Sequence, residues 1–349
     1  MSSPSDPGAP PTTSPAGEQP QITPALGWLR RWGISVASLI GGLLTLFVFR
    51  RELPHARWII GYLLLLFLLF AVVTQVRRAL EARGRRIRLV LVAADYTMQT
   101  LYHGILLFLL PPYWASTTLT SRNAVFLGLL IVLALLATFD PWYRAVAHPF
   151  PWVTHVFLVV CIFGALNVAL PLVGVPPHPA LLLSAVAAVL ALTPVAHAQL
   201  GGRWRTAAAV TGSLAVAAAL AVNMVRAWIP PAPLFLASSA LAWNVASIDS
   251  LEPTPRAIGA AELRQRGLVA YTPVYAPAGL SQAIRHVWRR EDETVDVVNL
   301  SPVSGGRREG FRTFSRKTAF PADPAGRWSV DVVTSSGQLI GRLRFRVVP

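Results

Sequence analysis

The chain has 349 residues, of which 54% are apolar and 13% charged, and its mean hydropathy is +0.51. Soluble domains carry about 25% charged residues, so an ordinary soluble enzyme, a disordered chain and a disulfide scaffold are excluded, and a multi-span membrane protein remains. There are 31 basic and 16 acidic residues, a net charge of +15, but most of the excess lies in short loops between apolar runs, which points to membrane orientation and not to nucleic acid.

The first 26 residues hold Pro4, Pro7, Pro10, Pro11, Pro15, Pro20 and Pro24 with no apolar stretch. They read as a disordered tail, with the first apolar run as an uncleaved anchor. Seven apolar runs follow, at about 33–49, 58–76, 89–110, 123–139, 151–171, 179–199 and 205–225. Each is near the roughly 20 residues that cross a bilayer as helix. Residues 27–228 thus form a transmembrane helical domain of about seven spans. Trp32, Trp58, Trp114, Trp142, Trp152, Trp204 and Trp228 fall at run boundaries, where an indole has its ring buried and its N–H wet. The lone cysteine, Cys161, lies inside a run, so no internal disulfide forms.

Loop arginines set the orientation. Arg30, Arg31, Arg77, Arg78, Arg83, Arg85, Arg86, Arg88, Arg144, Arg203 and Arg205 fall on one side, and Arg50, Arg51, Arg57, Arg122 and Arg226 on the other, 11 against 5. The richer side is cytoplasmic. The N-terminus is then inside, and seven crossings place the C-terminal domain outside, across the inner (plasma) membrane. Residues 227–248 are uncharged but hold Pro230, Pro231 and Pro233, so 229–267 reads as an interfacial segment and linker and not as an eighth span. Ala207, Thr211, Ala215, Ala219 and Asn223 form a stripe spaced by four, as do Ser38 and Gly42, which reads either as a face that lets helices approach closely or as a chance product of Ala-rich composition.

Residues 268–349 change to period-two alternation. Leu339, Gly341, Leu343, Phe345 and Val347 take one strand face, and Ile340, Arg342, Arg344 and Arg346 the other. Trp328, Val330 and Val332 precede the turn Ser335-Ser336-Gly337, which makes a hairpin. Further strands are expected near 268–275, 283–290, 294–300 and 310–318. The pattern fits an all-β immunoglobulin-like sandwich. Its expected core is Ile284, Trp288, Val298, Leu300, Phe314, Trp328, Val330, Leu343 and Phe345, with His286 hydrogen-bonded beside Trp288.

Several stretches carry a resemblance: LPPYWASTTLTSRNAVF at 110–126, ATFDPWY at 137–143, ALNVALP at 165–171, IPPAPLFL after the last run, RHVWRR at 285–290, GFRTFSRK at 310–317 and GRWSVDVVTSSGQLIG at 326–341. Through them the chain resembles an uncharacterised bacterial family of polytopic membrane proteins with a C-terminal domain of unknown function. The resemblance covers most of residues 85–349 and implies architecture but no activity.

Two groups of residues are candidate sites. Asp95, Gln99 and His103, spaced by four, share a face of the third run near Tyr96 and Tyr102. They read either as a polar seam that fixes helix packing or as a proton relay or ligand site. His155, Asn167, His197 and Asn223 read as packing or interface residues or as residues that complete a site with the third run, and Asp140 as a turn former at a helix end. Arg285, Arg289, Arg312, Arg316, Arg342, Arg344 and Arg346 are expected on exposed strand faces. They read as solvated strand surface or as a basic surface for an anionic lipid, a glycan or an envelope protein. No metal, phosphate-loop, dinucleotide or hydrolase motif is present in the sequence, and no cofactor is expected. The leading reading is a non-enzymatic membrane anchor for a partner-binding domain. A transporter or membrane enzyme on the third-run polar face is the alternative.

Overall fold

A computed structural model describes residues 70, 72, 85–147, 149–244 and 257–349. The tail, nearly all of the first two runs, Trp32, Trp58, Ser38 and Gly42 lie outside the described residues. The third run becomes α1 (Arg85–Ala115), which keeps Pro111 and Pro112 inside its last turns. The fourth run is divided. Helix α2 (Ala124–Thr138) ends at Phe139, and α3 (Asp140–Ala147) leaves it at 104°. Pro141 sits in the first turn of α3, where its missing N–H costs nothing.

Helix α4 (Trp152–Leu172) follows, then α5 (Pro177–Leu190), α6 (Thr193–Gln199) and α7 (Trp204–Met224). Among the described residues, three stretches are long and apolar enough to cross a membrane: α4, the run Pro177–Gln199 and α7. The α2–α3 pair makes a fourth if it is one broken span. The 31-residue α1, with Asp95, Gln99 and His103, is not in that set.

Small and polar residues set the helix contacts. Ala207, Thr211 and Ala215 are the buried residues of α7. Thr211 Oγ1 lies 3.0 Å from Thr193 Oγ1, and His178 Nε2 lies 2.9 Å from Asn223 Oδ1. The stripe spaced by four therefore does close a helix pair. Helices α1 and α4 meet at Gly164, where a Cβ would come within 2.8 Å of Leu109 Cδ1. Tyr113 donates to Gly164 O at 3.2 Å, and Asn167 Nδ2 donates to the Tyr113 hydroxyl at 2.9 Å.

The rest of the chain is β-rich. Its strands are β1 (Phe235–Leu236), β2 (Ala240–Ala242), β3 (Ala257–Gly259), β4 (Leu268–Tyr271), β5 (Val274–Tyr275), β6 (Ser281–Gln282), β7 (Ile284–Arg290), β8 (Glu293–Asn299), β9 (Val303–Ser304), β10 (Phe314–Lys317), β11 (Gly326–Thr334) and β12 (Leu339–Val348), with a short helix α8 (Ala260–Arg266) between β3 and β4. A five-stranded sheet has the order β3-β12-β11-β7-β8, and a three-stranded sheet the order β10-β4-β2. Both sheets contribute to one core, with Leu268 and Ala270 meeting Trp288, Trp328, Val330, Leu343 and Phe345.

Two expectations need correction. Phe314 is 51% exposed. Strand β10 turns Ser315 and Lys317 inward instead, because Ser315 serves a buried polar network. Residues 229–267 are also more than a linker. They supply β1, β2, β3 and α8, and β2 and β3 complete the two sheets by pairing with β4 and β12. Strands of three residues leave no alternation long enough to read.

The β unit is docked on the helices. Pro230 to Leu234 are all buried. Ile229 and Ala232 belong to the helical core, whereas Leu234 belongs to a core of the β unit. The β11–β12 turn rests on helix ends. Asn123 Nδ2 donates to Leu339 O at 3.3 Å, Gln338 Nε2 to Ile229 O at 3.3 Å and Arg226 Nε to Ser336 O at 2.7 Å. Asn123 and Gln338 are fully buried. Gly174, between α4 and α5, stands so close that a Cβ would lie 3.3 Å from Gly279 O. All of these contacts fall at one end of the bundle.

Candidate functional site

The polar face of α1 meets the corner between α2 and α3. A helix that stops at Phe139 leaves its last carbonyls without intrahelical partners. Gln99 Nε2 donates to one of them, Ala137 O, at 3.1 Å, and to Asp140 Oδ1 at 2.6 Å. His103 Nδ1 lies 2.9 Å from Thr138 Oγ1, which also donates to Ala134 O. Gln99 and His103 are buried, and Asp95 is half-buried one turn away. Tyr102, fully buried, donates to Thr154 O at 3.3 Å and stacks on Phe157. This arrangement holds a helix corner in place. Gln99→Leu is expected to lose about 1 kcal/mol and to lower the thermal midpoint of the detergent-solubilised protein, followed by tryptophan fluorescence. An unchanged midpoint would remove the corner role.

The seven arginines of interest do not share a surface. Arg285 and Arg289 on β7 and Arg342, Arg344 and Arg346 on β12 lie on the outer face of the five-stranded sheet. Arg312 and Arg316 are exposed on the β10 side, in the other sheet. Even within the first group the roles differ. Asp331 on β11 is 3% exposed. Arg342 holds its carboxylate with two donors, the Nη2 bond being 2.7 Å, and Arg289 Nε approaches it at 3.1 Å. Arg285 donates to Ser335 O at 2.9 Å. Arg344 and Arg346 remain exposed.

The β11–β12 register shows why. Arg342 faces Asp331, but Arg344 faces Ser329 and Arg346 faces Arg327. Arg327 is itself tied to Glu291 by bonds of 2.9 and 2.7 Å, which hold that carboxyl below its usual pKa range. A groove of about 380 Å³ opens here, lined by Arg327, Ser329, Arg344 and Arg346 together with Glu291 and Asp292. The sequence showed the β12 arginines but not Asp331 or Arg327 as their partners. Only the cross-strand register joins them.

His286 is hydrogen-bonded beside Trp288 as expected, and its partners, which the sequence did not show, are Thr272 and Ser315. His286 is fully buried between the sheets. Its Nε2 lies 2.7 Å from Thr272 Oγ1 and its Nδ1 2.7 Å from Ser315 Oγ, which also accepts from Trp288 Nε1 at 3.1 Å. Burial pushes the imidazole down to a pKa of about 4. Lys317, also buried, reaches Asp296 at 2.8 Å. His286 and Ser315 resemble a base and nucleophile only on paper, because both are sealed in the core.

Residues 19–270 match a family described as "Family of unknown function (DUF5924)". The chain belongs to that family. Residues 281–347 match a second description, "Protein of unknown function (DUF2914)". No curated protein and no solved structure matches. The division between the two matches does not follow the fold. In this DUF5924 chain, β2, β3 and β4 lie in the first match, yet β3 pairs with β12, and β4 with β10, in the second. The sheets of the β unit therefore need strands from both.

Proposed function

We propose that this DUF5924 protein is a seven-span protein of the bacterial inner membrane that mounts an immunoglobulin-like β-sandwich on its outward face, where a basic sheet binds an anionic partner of the envelope. The two N-terminal runs, α1, α2, α4, the α5–α6 run and α7 are the seven crossings. Exposed tryptophans support the slab. Trp114 and Trp228 lie at one end of the helices, and Trp142, Trp152 and Trp204 at the other. The 21 residues of α4 span about 31 Å between those ends. Helix α3, with Trp142 and Arg144 exposed and Tyr143 buried, suits the interface at the second end.

One observation carries the proposal: the β unit docks on the end of the bundle that has fewer arginines. Among the described residues that end holds Arg122 and Arg226. The opposite end holds Arg85, Arg86, Arg88, Arg144, Arg203 and Arg205. The arginine-rich end belongs in the cytoplasm, so the β unit belongs outside.

Strand order supports the sandwich. Strands β2, β4 and β10 take the places of A, B and E, and β7, β11 and β12 those of C, F and G, with β8 as an added C′. Trp288 then occupies the buried tryptophan position of strand C. A binding role is favoured over transport or catalysis on the α1 polar face, because Gln99 and His103 already bond to the α2–α3 corner. A phosphatase reporter fused after Pro349, active only outside the cytoplasm, is expected to be active. The same fusion made with green fluorescent protein is expected to be dark. The reverse pair of results overturns the orientation.

A further inference from the structure

The outer sheet face is not uniformly basic. At its Arg342 position a carboxylate, Asp331, is already seated between Arg342 and Arg289. One and two registers further along β12, Arg344 faces a serine and Arg346 faces an arginine. Like charges directly opposite on neighbouring strands oppose pairing. Glu291 already offsets the Arg327 charge, whereas Arg344 and Arg346 face no carboxylate across the β11–β12 register. Successive residues on one face of a strand are about 7 Å apart, so Arg344 and Arg346 present two forked cations at the spacing of alternate side chains in another extended chain. The guanidinium fork fits a carboxylate with two parallel bonds.

Shape and position select among anionic partners. The site is a groove of about 380 Å³ and not a flat face, a size suited to a short segment of a ligand. It lies at the far end of β12. Arg346 is seven residues beyond Leu339, whose carbonyl rests on the helix end, or about 24 Å along the strand. Phospholipid headgroups adjoin the helix ends, not the far end of this strand. Trp328 and Phe345 beneath the groove are 1% and 5% exposed, so no aromatic ring is open for a sugar to stack on.

We propose that the groove around Arg344, Arg346, Arg327 and Ser329 binds an extended peptide segment with acidic side chains at alternate positions, supplied by a partner protein of the envelope. Its carboxylates take the Arg344 and Arg346 positions as Asp331 takes that of Arg342. This rests on the outward placement and the anionic partner proposed above, and it names the partner's chemistry.

The test uses the full-length protein in a neutral detergent and a fluorescent decapeptide of alternating Thr and Glu, read by anisotropy at about 50 mM salt, where exposed charges are little screened. The wild type is expected to bind. Arg344→Gln with Arg346→Gln is expected to weaken binding at least tenfold, while Arg344→Lys with Arg346→Lys retains part of it. Arg312→Gln with Arg316→Gln, in the other sheet, is expected to leave it unchanged. An alternating Thr and Lys peptide is expected not to bind. Absence of binding by the acidic peptide, or equal binding by the Gln pair, overturns the inference. If phosphatidylglycerol vesicles or polygalacturonate bind through Arg344 and Arg346 and the peptide does not, the inference falls while the anionic-partner reading stands. If none of the three binds, both fall.

Discussion

Trp288→Ala is expected to unfold the β unit while the helices stay folded in the membrane. Trp288 is fully buried, packs edge-on against Phe320 and Phe345, and bonds Ser315 through its indole nitrogen. Truncating a buried tryptophan costs about 3–5 kcal/mol. Its loss also leaves the Ser315–His286 pair with one partner fewer. A domain is stable by only about 5–15 kcal/mol, so this one change uses much of the margin. The β unit is rich in arginine, and trypsin will find it once it opens. The expected result is rapid loss of fragments from 235–349 in the variant, with the helical fragments protected. Phe314→Ala is the control. Its side chain is exposed, so its effect is expected to stay within about 0.5 kcal/mol. Equal trypsin resistance of Trp288→Ala and the wild type would contradict this packing.

Acidification from pH 6.5 to 4 is expected to destabilise the β unit by about 3 kcal/mol through His286 alone. The imidazole is neutral in the fold, with its pKa lowered by burial from 6.5 to about 4. Between those values the unfolded chain binds a proton that the folded chain does not. Stability therefore rises with pH through this window, is complete above 6.5, and loses nothing more from this group below 4. Glu291 and Asp296 are held below the ordinary carboxylate range by Arg327 and Lys317, so their own loss begins as the pH falls through that ordinary range, near the bottom of this window. The measurement is the urea midpoint of the β-unit transition in the full chain at pH 7 and pH 4.5. His286→Gln is expected to flatten the dependence. A dependence that persists unchanged in this variant would assign it to other groups.

The long elements were legible in the sequence because their signals are long. Three arginines and the hydrophobics between them alternate along β12, and Trp288 and Trp328 fall on inward positions of strands flanked by clear turns. Helix ends were legible from tryptophan. The corner at Phe139 was not, because its cause is tertiary: Gln99 and His103 come from another helix to satisfy the broken end. Likewise, the apolar composition of 229–267 suits a lipid interface and a protein interface equally. Ile229 and Leu234 are buried in two different cores only because the β unit comes down upon them. Phe314 and Ser315 were exchanged because hydrophobicity alone sets Phe314 inward, whereas the buried His286 needs a hydroxyl there. At the candidate site the arginines themselves were visible. Which of them are already neutralised depends on Asp331 and on Glu291, and pairing across strands has no trace in linear spacing.

The contacts at the joint make the β unit a fixture of the bundle and not a module on a tether. Asn123, Arg226 and Gln338 hold the β11–β12 turn, and buried residues 230–234 fill the joint. Spin labels on Thr120→Cys and Ser301→Cys, both exposed, test it in a Cys161→Ala background with the protein in lipid nanodiscs. Pulsed electron–electron resonance is expected to give one narrow distance distribution, broadened by Asn123→Ala with Gln338→Ala. A broad distribution in the parent, indifferent to that double substitution, would contradict the rigid mount.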